Sequence, residues 1–302
     1  FKQGQEELAN SKLADTIQRQ VNAYIGLGAI YRYTKSYIQD LVRTYKEFDQ
    51  SLVAIAAVTG QTRDQMWANI GVYNKMAQSL GVTTQEVINA SKLYYQQGLT
   101  TTSVLKLTEE TVKLATIAEL DSADATEYLT TAMNGFKLSA EESTRVTDVW
   151  ANLAAKTASD VDELAVAISK VASLAENAGM EIETASAFLN QMIETTREAP
   201  ENLGTALKTI IARFQELKTS EEELSDGVDA NKVERALKSA GVALRDTSGQ
   251  FRDFDDVILE LSSKWDTLDR NTQRYIATIA AGSRQQSRFI ALVSDYEGLL
   301  RN

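Results

Sequence analysis

The sequence predicts an all-α protein, with a long N-terminal helix leading into a multi-helix globular core of helical hairpins. Three observations carry that expectation. One proline and 15 glycines in 302 residues leave little turn chemistry for a β fold. Ala, Leu, Glu, Lys, Gln and Thr, which dominate the composition, either favour helices or cap them. Capping-box patterns then recur along the chain, at Thr62/Gln65, Thr83/Glu86, Ser139/Glu142 and Ser220/Glu223. In each, a hydroxyl and a later side chain satisfy one another's backbone donors at a helix start.

The first element is the long helix, residues 1–58. Alternate steps of three and four from Leu13 meet Ile17, Gln20, Tyr24, Leu27, Tyr31, Thr34, Ile38, Leu41, Tyr45, Phe48, Leu52 and Ile55. Only Gln20 and Thr34 are polar in that series. A 3-4 spacing held so long, without proline, reads as a coiled-coil seam that brings copies of the chain together. It reads equally as a stripe buried on the chain's own later helices. Gly26 and Gly28 weaken its middle, by about 1 kcal/mol each relative to alanine.

After Gly60 the pattern changes to short capped helices, a core spanning 59–219. Gly60, Gly81, Gly98, Gly135 and Gly179 stand where preceding helices should stop, because glycine takes the left-handed C′ conformation without a Cβ clash. The acid-rich stretch 218–231 reads as a solvated connection to a C-terminal helical part, 220–302. There GVALRDTSGQFRD breaks the helical period and predicts a small β-hairpin-like turn near 242–252, with Gly249 at positive φ.

The only proline, Pro200, lies between two helical runs. A proline near a helix N-terminus loses no intrahelical hydrogen bond and forces the previous helix to end. Asn202 is positioned to cap the following helix. Gly204, Thr205 and Ala206 offer a small surface beside the apolar stripe Leu207, Ile210, Ile211 and Phe214. The segment therefore predicts a fixed turn between tightly packed helices.

Chemistry is sparse. The chain has no histidine and no cysteine, which removes the usual base of nucleophilic triads, thiolate nucleophiles and the commonest zinc ligands. No phosphate loop or dinucleotide fingerprint occurs. A net charge of −11 opposes a phosphate-binding footprint, so no sequence-specific nucleic-acid contact is expected. No cofactor or metal site is expected either. Asp121 with Asp124, and Asp160 with Asp162 and Glu163, fit helix starts better than a hydrolase pair. Trp67, Trp150 and Trp265 fall in separate helical segments and read as core anchors. A start at Phe1 reads as a fragment or a processed product, and its longest apolar run, 52–58, is too short to span a bilayer.

DVDELAVAISKVASLAENAGMEIETASAFLNQMIETT, followed by GTALKTIIARF, resembles the core region of phage tail tape measure proteins. GVALRDTSGQFRDFDDVILELSSKW and AAGSRQQSRFIALV continue the likeness in order, over roughly residues 40–302. By position it falls on Gly179, Gly204, Thr205, Ala206, Leu207, Asp246, Gly249, Gly282, Arg288 and Phe289, as fold determinants and not catalytic groups. The resemblance implies a structural virion protein of the tail tube lumen or tail tip, made in the host cytoplasm. Such a protein sets tail length during assembly and is ejected ahead of the DNA. It further implies self-association as a trimer, with tail tube, tail tip and assembly chaperone proteins as partners. Membrane contact would belong to regions outside these residues. The competing expectations are a carboxylate-based cell-wall hydrolase module and a generic helical adaptor.

The two readings of the N-terminal stripe separate experimentally. With Ile38 and Leu41 replaced by aspartate, a coiled-coil assembly dissociates while the core keeps its melting point. If the stripe packs on its own core, the same change lowers the melting temperature. Light scattering and thermal melts decide between them.

Overall fold

The computed structural model describes residues 43, 45–68, 70–215 and 232–301, and every regular element among them is a helix. Two compact units divide between residues 68 and 69.

The described part of the first unit is a helical hairpin. Helix α1 covers 45–59 and α2 covers Arg63–Ala68. The turn follows from local chemistry: Thr62 N–H donates to Gln65 Oε1 at 2.7 Å, and Gln65 N–H to Thr62 Oγ1 at 3.3 Å. That is the expected capping box. Asp49 of α1 then accepts from Arg63 Nε at 2.7 Å and Trp67 Nε1 at 3.3 Å. Tyr45 and Phe48 pack on the Trp67 ring, with centroids 5.7 and 5.5 Å away. Trp67 is thus an anchor of this hairpin. Of the predicted seam, Leu13, Ile17, Tyr24, Leu27, Tyr31, Ile38 and Leu41 lie outside the described residues. Leu52 and Ile55 are fully buried, while Tyr45 is 55% exposed.

The second unit begins with α3 (Ile70–Leu80), α4 (Thr84–Gln96) and α5 (Thr101–Ile117). Then come α6 (Ser122–Gly135), a 3-10 turn at Ala140–Glu142 and α7 (Ser143–Lys156). The central elements are α8 (Val161–Asn177), α9 (Ile182–Thr196) and α10 (Pro200–Phe214). Lys232–Lys238 (α11), Phe254–Trp265 (α12), Arg270–Val293 (α13) and Tyr296–Arg301 (α14) complete it. Neighbours in sequence mostly pack as antiparallel hairpins. Helix α8 lies against α6, α7, α9 and α10, and α13 against α9, α10, α11 and α12. The core accordingly centres on α8, α9 and α10, whose inward faces are Ala, Leu, Ile, Val and Phe.

Most caps fall where the sequence puts them. Thr83 and Glu86 form a complete box, and Asp121 accepts from the N–H groups of Ala123 and Asp124. Asp160 and Glu163 form a further box at the start of α8, so these acids serve helix starts. Ser139 and Glu142 also form one, but it opens the 3-10 turn ahead of α7. Ser220/Glu223 lies outside the described residues. Gly60, Gly81, Gly98 and Gly179 all take positive φ after their helices.

Gly135 does not. It remains helical, and Lys137 takes the left-handed position at φ 56°. The reason is packing: a Cβ on Gly135 would lie 2.4 Å from Ala172 Cβ. The predicted hairpin near 242–252 also needs correcting, because it closes on a single antiparallel bridge, Arg245 to Phe251, with no strand. Its flanks are too short for a ladder, since Gly241 already belongs to the turn after α11 and α12 starts at Phe254. What shapes it is Asp246, whose carboxylate accepts from Ser248 N–H at 2.8 Å and Gln250 N–H at 2.9 Å. Gly249 takes φ 84° as expected.

One buried charge ties α5 to α7. Glu110 is 1% exposed and accepts from Lys113 Nζ at 2.9 Å and Thr147 Oγ1 at 2.8 Å. Burial alone would raise its pKa, but these hydrogen bonds and the nearby charges of Lys113 and Lys106 hold it below the usual carboxylate range. A depressed carboxylate pKa contributes stability above the unfolded value, and that contribution disappears as pH falls through the folded one. Glu110→Gln should therefore cost about 1–3 kcal/mol at neutral pH. The variant and parent should converge as pH falls through the depressed folded pKa of Glu110. Denaturant titrations across pH check this, and a pH-independent difference would reject it.

Candidate functional site

The residues singled out around Pro200 and in the C-terminal part come together on α8, α9, α10 and α13. Construction starts at the end of α9. Arg197 takes the left-handed conformation at φ 53°, reversing the chain. Its guanidinium reaches Ala158 O at 2.6 Å, which fastens the turn to the loop before α8. Pro200 then occupies the first turn of α10, with its fixed φ already suited to a helix. Asn202 is not the cap. Ala199 holds that position without a side-chain bond, and Asn202 N–H donates to Ala199 O at 3.0 Å from inside the helix. The proline itself supplies the helix start, so no side-chain cap is needed to set it.

One turn on, Gly204 meets α8 backbone to backbone. A Cβ placed there would lie 2.2 Å from Ala167 O and 2.9 Å from Lys170 Cβ. Ala206 and Leu207 are fully buried beside it, with Leu203, Ile210 and Ile211. Thr205 differs from its neighbours: it is exposed, and its hydroxyl donates back to Glu201 O at 2.7 Å. The small surface read from the sequence is therefore Gly204 with Ala206, and Thr205 faces away.

Helix α13 closes the joint from another side. Arg288 Nε donates to Glu198 Oε2 at 2.8 Å, and Nη2 contacts the same oxygen. Glu198 lies two residues before Pro200, so this pair holds the turn itself. Lower on α10, the Arg213 guanidinium presses on Gly282, where α13 is broken by a glycine at φ 74°. Phe289 packs against Phe214 and Trp265, at centroid distances of 6.4 and 6.1 Å. Phe254 meets Phe214 at 4.9 Å and Phe188 at 6.3 Å. Gly179 joins the same region: Phe254 N–H donates to Ala178 O at 2.9 Å, and a Cβ on Gly179 would meet Asp253 at 2.0 Å.

Gly179, Pro200, Gly204, Ala206, Leu207, Gly282, Arg288 and Phe289 thus act together as packing determinants. Asp246 and Gly249 stand in the separate turn described above. Sequence reasoning missed Glu198, Arg197 and Arg213. An acid or base in a loop or last helical turn gives no local signal of a partner up to 90 residues away. Trp150 and Trp265 are buried core anchors, as expected.

The arrangement offers little chemistry. Among the described residues no group of three or more His, Cys, Asp or Glu side chains could hold a metal ion. No helix among them is long and apolar enough to cross a membrane. Among the described residues Asp255 is the carboxyl pushed up, by burial and then by its acidic neighbours Asp256 and Asp253. It stands in the first turn of α12 beside Asp256.

The close approach of α8 and α10 makes a sharp prediction. Gly204→Ala should cost about 1–3 kcal/mol by overpacking, because the obstructing atom is a backbone carbonyl, and Gly204→Leu should cost more. Gly71, also helical, has nothing within 4 Å of its would-be Cβ. Gly71→Ala should be neutral or stabilise by up to about 1 kcal/mol. Thermal melts of the three variants check the contrast, and equal behaviour at the two glycines would refute the joint.

The family model described as phage-related minor tail protein matches residues 72–282, which fall wholly within the second unit. The probable tape measure protein of Escherichia phage P2 is 23% identical over 245 residues, 80% of this chain and 28% of that protein. The tape measure protein of Pneumococcus phage Dp-1 is 21% identical over 257 residues, 83% of this chain and 21% of its own. This chain therefore spans 28% or less of the length of either relative. No solved structure matches it. With most of the chain under one family model, it belongs to the phage-related minor tail protein family.

Proposed function

We propose that this chain is the folded, non-catalytic core of a tape measure protein, built into a phage tail. The observation that carries the reading is where the family match falls. It covers 72–282, where Gly135, Gly179, Gly204 and Gly282 lie against neighbouring elements and the buried side chains among the described residues are mostly apolar. The two named relatives, a probable tape measure protein and a tape measure protein, support the same assignment.

In this reading the parent protein sets tail length during assembly and leaves the tail ahead of the DNA. The core lies in the tube lumen or at the tip, after synthesis in the host cytoplasm. Copies associate through the N-terminal stripe as a trimer, and the tail tube, tail tip and assembly chaperone proteins are the partners. The core contributes a defined folded body to that assembly and performs no reaction.

Two measurements test this. Mass spectrometry of purified virions should recover peptides from residues 72–282. Cell-wall zymography with the purified chain should give no clearing, and Asp121→Ala or Asp160→Ala should change only stability, by about 0.5–2 kcal/mol as lost caps. Absence from virions would overturn the structural role. Wall clearing abolished by one carboxylate substitution would make the chain a hydrolase.

A further inference from the structure

Residues 270–294 carry four arginines and no acid, within a chain of net charge −11. Arg288 is committed to Glu198. Arg270 and Arg274 are exposed, and neither guanidinium has a hydrogen bond or ion pair with any described residue. Their i, i+4 spacing puts them on one face of α13. Beside them Tyr275 is 48% exposed. A basic face with an aromatic at its edge thus has no cover among the described residues of an acidic protein.

A second surface has the opposite character. The end of α5, the last turns of α7 and the start of α8 enclose an open groove of ≈ 670 Å³. Ile117, Ala151 and Ala155 supply apolar wall, and Glu119, Asp160 and Asp162 supply an acidic rim. Ile117 is 53% exposed for want of a cover. Glu119 and Asp162 have no ion pair among the described residues. The main neighbours of α13 are α9 to α12, so its arginine face does not reach this groove within the same unit.

We infer that the Arg270–Arg274–Tyr275 face of one copy docks into the Glu119–Asp160–Asp162 groove of a second copy. Charge complementarity selects the occupant, because the acidic chain itself carries both halves of the match. The aromatic ring of Tyr275 meets the apolar wall, and the guanidinium groups meet the rim carboxylates. Two different patches are joined, so the contact is heterologous and repeats head to tail. It is independent of the N-terminal seam and goes beyond the proposed trimer.

The test uses the full chain carrying Ile38→Asp and Leu41→Asp, so that association through the seam is removed. Sedimentation velocity should find a concentration-dependent assembly that loosens toward 1 M salt, where the Debye length falls to about 3 Å. Adding Arg270→Ala with Arg274→Ala, or Glu119→Lys with Asp162→Lys, should weaken association at least about tenfold. An equimolar mixture of these two proteins should form a heterodimer and stop there. Only the groove of the first and the arginine face of the second remain native. Recovery in the mixture also reports that both variants are folded. A background protein that stays monomeric at high concentration would overturn the inference, as would a mixture that fails to associate. A monomer that instead binds a single-stranded oligonucleotide through Arg270 and Arg274 would reassign the face to nucleic acid.

Discussion

The second unit depends on one contact, the approach of α10 to the backbone of α8 at Gly204. Helices with ordinary side chains between them pack with axes about 8–10 Å apart. At Gly204 there is no room for even a methyl group, since Ala167 O occupies the place a Cβ would take. That constraint fixes the rotation and register of α10 on α8. The same helix accepts a second close approach, from Gly135 of α6 at Ala172 and Ser173. Helix α8 is therefore the member that others are measured against, and its small residues, Ala165, Ala167, Ala172 and Ala175, are buried for that reason.

The rest of the joint keeps that contact in register. If α10 were free to slide, the Gly204 position would lose its meaning within one residue. Pro200 sets where the helix begins, and Arg288 holds the preceding Glu198 from α13. The pair is partly buried, with side-chain exposures of 18% and 34%, so its geometry matters more than its charge. At the other end of α10, Arg213 fills the space made by the break at Gly282, and Phe214 enters the aromatic cluster with Phe254 and Phe289. Fully burying a large apolar side chain contributes about 1.5–3 kcal/mol. The cluster therefore carries much of the cohesion, while the glycines and the ion pair determine which arrangement it stabilises.

How much of this could be read from the sequence depended on the range of the interaction. Capping boxes at Thr83 and Ser139 were legible because both partners are three residues apart. Pro200 and Gly204 were legible because proline and glycine constrain the backbone by themselves. Gly135 misled for the same reason. A glycine near a helix end reads as a left-handed stop, and only the position of α8 shows that its missing side chain serves packing. Asn202 misled because a good cap residue two positions after a proline competes with the proline, which wins. The family likeness singled out Arg288 but not its partner Glu198, since nothing local to either residue specifies the other.

The architecture also bears on where length could be measured in the proposed tape measure. A helix advances about 1.5 Å per residue only while it continues in one direction. The longest described helix, α13, has 24 residues and is broken at Gly282, and its predecessors reverse direction in short hairpins. Adding a residue to such a unit perturbs packing without lengthening it in proportion. In the proposed role, length is therefore not set by adding residues within this packed unit. A packed core with a fixed α8–α10 register is suited to a different task, presenting the same surfaces in every copy. Those surfaces, including the exposed arginines of α13 and the acid-rimmed groove beside Ile117, are where the next level of assembly should be sought.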